Sequence, residues 1–227
     1  MYTINQKFEF LNKLTTMVVD GINPSLIICG PCGLGKTHNV LNIISEKELY
    51  PFEYEIIKGY STSRGLYNTL FDNNGKLIIF DDCDSVLEDK IAINILKSAL
   101  DSYETRTISW SAKMNKNDEY PQQFNFTGRI IFISNKDKKS IDDAILSRSL
   151  TVDLNMTSDE KIERMGYVIE SILPDYPIDI KKDALEYLNT NKDNLQLNFR
   201  SLIITSKLRM AHPDTWKDLA DFMISTK

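Results

Sequence analysis

The sequence predicts an α/β fold with a parallel β-sheet, followed by a small all-helical domain. Short apolar runs that lack alternation recur between amphipathic segments, which is typical of a parallel sheet buried on both faces. From Asn155 onward the patterns are helical only. A glycine-rich segment also stands between the first apolar run and the helix after it. These observations predict an α/β domain over residues 1–154 and a helical domain over residues 155–227.

The strands are predicted from runs rich in Ile, Leu, Val and Phe, and the helices from apolar residues spaced three and four apart. The predicted strands cover residues 26–29, 53–58, 77–80, 129–134 and 150–154. The predicted helices of the α/β domain cover residues 5–19, 37–46, 63–71, 89–101 and 141–147. In the helical domain, Thr157 and Glu160 form a capping box that begins a helix extending to about residue 172, where Pro174 ends it. Further helices are predicted over residues 180–188, 198–210 and 215–225.

The composition is that of an ordinary globular protein, with 42% hydrophobic and 26% charged residues. No run of about 18 apolar residues occurs, so no membrane span is expected, and the N-terminus lacks the pattern of a signal peptide. The 3 cysteines, an odd number, give no disulfide framework and suit a reducing cytoplasm. The net charge of −5 argues against a dedicated nucleic-acid binder, although a local basic patch is compatible with it.

Residues 30–37 match the pattern Gly-x-x-x-x-Gly-Lys-Thr of a phosphate-binding loop. Glycine lets the backbone direct its N–H groups at a phosphate chain, and the helix that follows presents its N-terminus to the anion. Lys36 is expected to reach the β- and γ-phosphates, and Thr37 to hold Mg²⁺ through its hydroxyl. The sequence therefore predicts a site for a nucleoside triphosphate with Mg²⁺. The predicted binding residues are Gly30, Pro31, Cys32, Gly33, Leu34, Gly35, Lys36 and Thr37.

The same segment has a second interpretation, because Cys29-Gly-Pro-Cys32 is the dithiol motif of thioredoxin-like proteins. In this chain, however, the second cysteine is followed by Gly-Leu-Gly-Lys-Thr. Ile28 also stands where a thioredoxin usually has tryptophan. We therefore favour the phosphate-binding loop, with Cys29 as a buried strand end and Cys32 as a variable position of the loop.

A strand that ends in acids predicts the second half of the site. Residues 77–84 read Leu-Ile-Ile-Phe-Asp-Asp-Cys-Asp. Asp81 is expected beside the phosphates, where it can hold Mg²⁺ through water, and Asp82 is expected to polarise the attacking water. Aspartates also end strands at ordinary turns, but the phosphate-binding loop upstream favours the catalytic interpretation.

With these motifs in this order, the chain resembles the AAA+ ATPases, and in particular their compact phage-encoded members. The resemblance implies an AAA+ parallel-sheet P-loop domain followed by a small helical lid. It also implies ATP hydrolysis with Mg²⁺ in the cytoplasm, by a homo-oligomeric ring that is most commonly a hexamer. The usual acid pair of the family is Asp-Glu, whereas this chain has Asp81 and Asp82. Asp84 matches the acid that often follows the pair.

Three further polar residues are similar to functional positions of the family. Asn135, which ends the run Ile-Phe-Ile-Ser-Asn, resembles the sensor-1 residue that orients the attacking water. Arg148 resembles the arginine finger, which acts in trans on the γ-phosphate of a neighbouring subunit. Arg200, in Asn-Phe-Arg, resembles the sensor-2 arginine of the lid. The alternatives are a turn residue for Asn135 and a helix-terminal cation for Arg148.

Two features of the sequence bear on what the predicted ATPase acts on. A hairpin is predicted over residues 106–126, with Lys113 and Lys116 at its polar tip. It resembles the pre-sensor-1 hairpin of helicase-like AAA+ proteins, which makes nucleic acid a candidate client. Trp110 could stack on a base, although packing of its ring on the domain is favoured. Tyr60 is the candidate for an aromatic pore loop, with an ordinary core or surface tyrosine favoured instead.

Two functional hypotheses follow from these features. The first is an oligomeric Mg²⁺-dependent ATPase that remodels a protein or nucleic acid, which the two arginines favour. The second is a switch, assembly factor or loader with slow ATP turnover, for example in DNA replication. The shorter Asp82 in place of glutamate favours the second hypothesis.

Overall fold

A computed structural model describes residues 2–59, 61–110 and 119–226 of the protein. Tyr60, Lys113 and Lys116, which the sequence analysis singled out, lie outside these described residues. The chain packs as two compact units. The larger unit comprises residues 8–31 and 36–154, and the smaller comprises residues 1–7, 32–35 and 155–227.

The centre of the larger unit is a parallel sheet of five strands. In chain order the strands of this unit are β1 Ser25–Cys29, β2 Tyr54–Lys58, β3 Leu77–Asp81, β4 Thr107–Ser109, β5 Gln123–Asn125, β6 Arg129–Ile133 and β7 Leu150–Asp153. The sheet has the spatial order β2-β3-β6-β1-β7, and β4 and β5 form a separate hairpin. Every residue of β1 and of β3 is buried, as their unbroken apolar runs predict. The predicted parallel sheet is confirmed.

One helix precedes these strands and others connect them. They are α1 Ile4–Val19, α2 Lys36–Glu46, α3 Ser63–Asp72, α4 Lys90–Ala99 and α5 Asp143–Leu146, with 3-10 turns at Asp84–Leu87 and Lys138–Ser140. Asp89 caps the N-terminus of α4, because its carboxylate accepts hydrogen bonds from the N–H groups of Ile91 and Ala92 at 2.7 and 2.9 Å. The bond from Ala92 is the main cause of the lowered pKa of Asp89.

The core of the larger unit fixes the register of the two strands that lead to the acids. Phe80 on β3 lies opposite Phe132 on β6, and the two rings stack with their centroids 4.8 Å apart. Aromatic rings of this size bury about 150–250 Å² each and contribute strongly to core packing. A slip of β3 by one residue would turn the Phe80 ring to the face opposite the Phe132 ring, so this pair secures the alignment of β3 with β6.

The hairpin packs on α3 through its aromatic residues. The ring of Tyr67 lies 5.7 Å from that of Trp110 and 5.4 Å from that of Phe124. The Tyr67 hydroxyl donates a hydrogen bond to the carbonyl oxygen of Pro121 at 2.6 Å. The guanidinium of Arg64 lies over the Trp110 ring at 5.2 Å. Trp110 therefore packs on the domain, as the favoured interpretation predicted.

The smaller unit is helical, as predicted. It contains α6 Ser158–Val168, α7 Ile178–Thr190, α8 Phe199–Ala211 and α9 Trp216–Ile224. The capping box at the start of α6 is confirmed, since Thr157 accepts from the N–H of Glu160 and the Glu160 side chain accepts from the N–H of Thr157. A cap of this kind stabilises a helix by about 1 kcal/mol.

One predicted boundary in this unit is wrong. Helix α6 ends at Val168 instead of extending to residue 172. Lys181 is 3% exposed. Its ammonium donates to the carbonyl oxygens of Glu170 and Ile172 at 3.3 and 3.0 Å. These carbonyls find their partner in a side chain of α7, and Leu173 adopts a left-handed φ of 49°. The turn is stabilised by tertiary contacts that helix periodicity does not report.

None of the helices in the described part of the chain has the length and hydrophobicity needed to cross a membrane.

Candidate nucleotide site

Three parallel strands end at the same edge of the sheet, and their ends carry most of the predicted site residues. Strand β1 leads into residues 30–37, β3 ends at Asp81, and Asn135 follows β6 by two residues. The register places Asp81 opposite Ile133. Because the carboxyl ends of parallel strands share one edge, residues that are distant in sequence meet there.

Gly30 begins the loop in a conformation that excludes side chains. Its φ is +136°, and a Cβ atom added to it would lie 3.0 Å from the carbonyl carbon of Leu154 and 3.1 Å from the carbonyl oxygen. Leu154 is itself held, since its N–H donates to the carbonyl oxygen of Cys29 at 2.9 Å. The loop therefore leaves β1 along a path that only glycine can follow.

Lys36 is the first residue of α2 and is only 5% exposed. Its ammonium donates hydrogen bonds to the carbonyl oxygens of Gly30 and Pro31 at 2.6 and 2.8 Å. It also donates to Oδ1 of Asn135 at 2.9 Å. The positive charge is thus held inside the curve of the loop, where a phosphate chain would be bound.

Thr37 and Asp81, the two residues predicted to hold Mg²⁺, are bonded to each other. The Thr37 hydroxyl donates to Oδ1 of Asp81 at 2.8 Å, and Asp81 is 6% exposed. A hydroxyl and a carboxylate are the oxygen ligands that Mg²⁺ prefers, so these residues fit the ion. No cluster of three or more His, Cys, Asp and Glu residues suited to a metal occurs in the described ranges. A Mg²⁺ ion completed by phosphate and water needs no such cluster.

Asp82 and Asn135 connect this pair to Lys36. The side-chain amide of Asn135 donates to Oδ1 of Asp82 at 2.5 Å, while its oxygen accepts the bond from Lys36. Asp82 has a left-handed φ of 58°, and its N–H donates to the carbonyl oxygen of Ile133 at 3.1 Å. A cation, an amide and an exposed carboxylate therefore lie in one hydrogen-bonded row at the sheet edge.

The cysteines do not have the properties of a dithiol site. All three are free, with Cys29 and Cys83 buried and Cys32 exposed. Burial, together with the charge of Asp153, raises the pKa of Cys29 to about 11, and burial likewise raises that of Cys83 to about 11. Thiol oxidoreductases depend on a lowered thiol pKa, so this environment opposes the thioredoxin-like interpretation.

The chain is similar to known proteins in sequence and in fold. No protein-family model matches the chain. An uncharacterised 36.7 kDa protein of Enterobacteria phage T4, from the nrdC–mobD intergenic region, is 29% identical over 238 residues. The alignment covers 96% of this chain and 73% of the T4 protein. This is a phage relative of the kind that the sequence analysis predicted.

Solved structures identify the fold. The RuvB Holliday junction branch migration motor of Thermotoga maritima superposes with a TM-score of 0.57 at 15% identity, over 96% of this chain and 67% of RuvB. A point mutant of the same RuvB gives a TM-score of 0.58 at 14% identity, over 96% of this chain and 68% of the mutant. RuvB is an AAA+ P-loop ATPase. The chain has the AAA+ fold.

In AAA+ terms, the sensor-2 candidate Arg200 is an exposed residue in the first turn of α8, in the smaller unit. That turn is capped by Asn198, which accepts from the N–H of Ser201 at 3.0 Å. The N–H of Phe199 donates to the carbonyl oxygen of the P-loop residue Gly33 at 2.8 Å. A Cβ on Gly33 would lie 3.0 Å from Cβ of Asn198. Within the smaller unit, Gly33 therefore lies against the turn that carries Arg200.

The arginine-finger candidate Arg148 is not part of this cluster. It follows α5, and its carbonyl oxygen accepts a hydrogen bond at 3.2 Å from the hydroxyl of Ser25, the first residue of β1. A strand of five residues is about 16 Å long, so Arg148 lies at the opposite edge of the sheet from the P-loop. There it lines a cavity of about 770 Å³ together with Arg106 and Arg129. Its Nη1 donates to the carbonyl oxygen of Ala144 at 2.9 Å, in the manner of a helix-terminal cation.

Sequence reasoning missed two residues that contact the predicted ones. Lys58 at the end of β2 forms an ion pair with Oδ2 of Asp81 at 3.4 Å. Ser134 donates to Asp84 at 2.6 Å. The signal for Lys58 was its position, because it ends a strand next to β3 at the same sheet edge. Asp84 belongs to the acidic motif after β3, but nothing in the sequence indicates Ser134 as its partner.

Proposed function

We propose that the protein is a Mg²⁺-dependent AAA+ ATPase that couples ATP binding and hydrolysis to the remodelling of a macromolecule. The observation that carries the proposal is the position of Asn135, whose single amide bonds both Lys36 and Asp82. These three groups come from three different motifs, each predicted for the same reaction. The interpretation of Asn135 as an ordinary turn residue does not explain why its side chain bonds both Lys36 and Asp82.

Each residue has a role in this proposal. Lys36 binds and neutralises the β- and γ-phosphates. Thr37 and Asp81 hold Mg²⁺, which when bound neutralises charge on the phosphate oxygens. Asp82 accepts a proton from water as the water oxygen bonds to the γ-phosphorus and the bond to the ADP oxygen breaks. Asn135 orients that water, and the products are ADP and inorganic phosphate.

The proposed assembly is a homo-oligomeric ring, with a hexamer as the first candidate. Arg148 lies about one strand length from its own P-loop, which supports action in trans on the nucleotide of a neighbouring copy. Arg200 would contact the γ-phosphate as sensor 2, and its place beside the turn at Gly33 supports that role. Since the reaction consumes ATP and the thiols are free, we place it in the cytoplasm.

Protein and nucleic acid are both candidate clients. The hairpin over residues 106–126 is the candidate for contact with nucleic acid. One observation weakens base stacking there, because Arg64 and Tyr67 already cover the Trp110 ring. RuvB is a branch migration motor, so a DNA client is included among the tests.

The second candidate function is an ATP-dependent switch, assembly factor or loader with slow turnover. Asp82 favours it, since its carboxylate is one methylene shorter than glutamate and is bonded to Asn135 at 2.5 Å. The decisive measurement is steady-state ATP hydrolysis with and without single-stranded DNA, duplex DNA or RNA, alongside the mass in solution. Stimulation by nucleic acid supports the motor, and a slow rate under every condition supports the switch.

Two variants test the site itself. Lys36→Ala should abolish ATP binding, and retained affinity would refute the P-loop assignment. Asp82→Asn should bind ATP without turnover, and unchanged hydrolysis would place the base elsewhere.

Mixing the Asp82→Asn protein with Arg148→Ala protein should restore activity only if sites are shared between copies. No recovery at any mixing ratio would argue against a finger in trans.

A further inference from the structure

The 3-10 turn that follows Asp82 is bonded to the segment that follows β6. Asp84 begins this turn, and its Oδ1 accepts a hydrogen bond from the hydroxyl of Ser134 at 2.6 Å. Its Oδ2 accepts a second bond from the backbone N–H of Asn135 at 3.3 Å. Ser134 is 1% exposed, so the first of these bonds is shielded from water.

These bonds take the place of strand hydrogen bonds beyond the end of β6. Strand β6 stops at Ile133, so the N–H of Asn135 has no strand partner among the described residues. Asp84 supplies the partner instead. The N–H of Asp82 donates to the carbonyl oxygen of Ile133, which adds a further bond between the segment after β3 and the end of β6. Two loops from different strands are thus joined at the place where Asn135 must be held.

The side chain of Asn135 needs such support because it is exposed. An exposed amide loses rotamer freedom when it bonds two partners at once, which costs free energy. Fixing the backbone of Asn135 beforehand reduces that cost. It also places the amide within reach of Lys36 and Asp82 together.

We propose that Asp84 is a positioning residue for ATP hydrolysis, which fixes Asn135 so that its one amide aligns Asp82 and Lys36. This inference rests on the proposed ATPase function. Asp84 does not bond the nucleotide-binding residues Lys36 and Thr37 in the described structure, and it acts through Ser134 and Asn135.

A purely structural role would have different consequences. If Asp84 only stabilised the turn, its loss would lower stability but leave kcat unchanged in the folded protein. A positioning role lowers kcat while ATP affinity changes little, since the Lys36 ammonium keeps its bonds to Gly30 and Pro31 when its bond to Asn135 is loosened. The split between kcat and ATP affinity therefore separates the two roles.

The test compares Asp84→Asn and Ser134→Ala, which each disturb the 2.6 Å bond, with their double variant. Asp89→Ala is the matched control, because it removes a nearby acid that caps α4 without contacting Asn135. We expect kcat to fall about tenfold in both single variants, with the ATP dissociation constant within about twofold of wild type. The double variant should be no slower than Asp84→Asn, because the two residues share one bond.

The control should lose stability and keep kcat. Unchanged kcat in both single variants, or an equal fall in the Asp89→Ala control, would overturn the proposal. If Asp84→Asn fails to fold, Ser134→Ala carries the test, since it removes only a hydroxyl, which besides its bond to Asp84 accepts the N–H of Lys136 at 3.1 Å.

A crystal structure of Asp84→Asn gives a second readout that does not need hydrolysis. The Asn135 amide should move away from Asp82 beyond hydrogen-bond range, about 3.5 Å. An unchanged bond between Asn135 and Asp82 would overturn the proposal even in an active enzyme. If the wild-type protein does not hydrolyse ATP, the proposed function fails, while this structure still decides whether Asp84 positions Asn135.

Discussion

Replacing Gly30 by alanine should destabilise the protein by about 3 kcal/mol. A φ of +136° is almost confined to glycine, and forcing a side chain into it costs about 1–3 kcal/mol. The new Cβ would also lie 3.0 and 3.1 Å from backbone atoms of Leu154, and crowding of this kind costs about 1–3 kcal/mol. Alanine also raises the free energy of unfolding by about 0.4–1 kcal/mol, because it lowers the conformational entropy of the unfolded chain. The net effect corresponds to a fall in Tm of about 6–12 °C.

Gly59→Ala is the matched control for this prediction. Gly59 also has a positive φ, +83°, but a Cβ added to it would meet no atom of the described residues within 4 Å. The control therefore keeps the backbone strain and omits the crowding, and it should cost only about 1 kcal/mol. Urea unfolding followed by circular dichroism measures both variants, with equal m-values as the condition for comparing them. Equal losses for the two variants would show that contact with Leu154 does not matter, which would refute the reasoning.

Two further predictions concern the site edge. Iodoacetamide should alkylate Cys32 in the native protein and leave Cys29 and Cys83 unmodified, because those two are buried with pKa values raised to about 11. Mass spectrometry measures which cysteines are alkylated. Alkylation of Cys29 as fast as that of Cys32 would contradict the burial of Cys29. Lys58→Met should lower the Mg²⁺ concentration needed for half-maximal activity by about twofold. The Lys58 side chain is 65% exposed, so its ammonium competes only weakly for Asp81. An increased Mg²⁺ requirement would show that Lys58 assists the ion instead.

The sequence was sufficient to predict most of the residues that meet at the sheet edge, although not Lys58. Unbroken apolar runs marked β3 and β6 as buried parallel strands, and parallel strands end at one edge. The positions of Asp81 and Asn135 at those ends then follow from topology. The distance of 2.8 Å between Thr37 and Asp81 is consistent with the role predicted for both.

Other features could not be predicted, because they depend on contacts between segments that are distant in sequence. The early end of α6 follows from carbonyl groups that bond Lys181, a residue of the next helix. The partnership of Asp84 with Ser134 crosses 50 residues of chain. The need for glycine at position 30 was predicted from the motif, but its crowding by Leu154 depends on the path of β7.

The order of strands in the sheet also has a consequence for biosynthesis. The strand that leads into the P-loop, β1, lies between β6 and β7, which are the last two strands of the sheet in the chain. A ribosome adds roughly 5–20 residues per second, so the roughly 100 residues between β1 and β6 delay the first pairing of β1 by about 5–20 s. During that interval the nascent chain holds an apolar strand without a partner. We expect nascent chains that end before residue 129 to bind chaperones or aggregate, and the proposed ATP site to form only after β6 and β7 have been made.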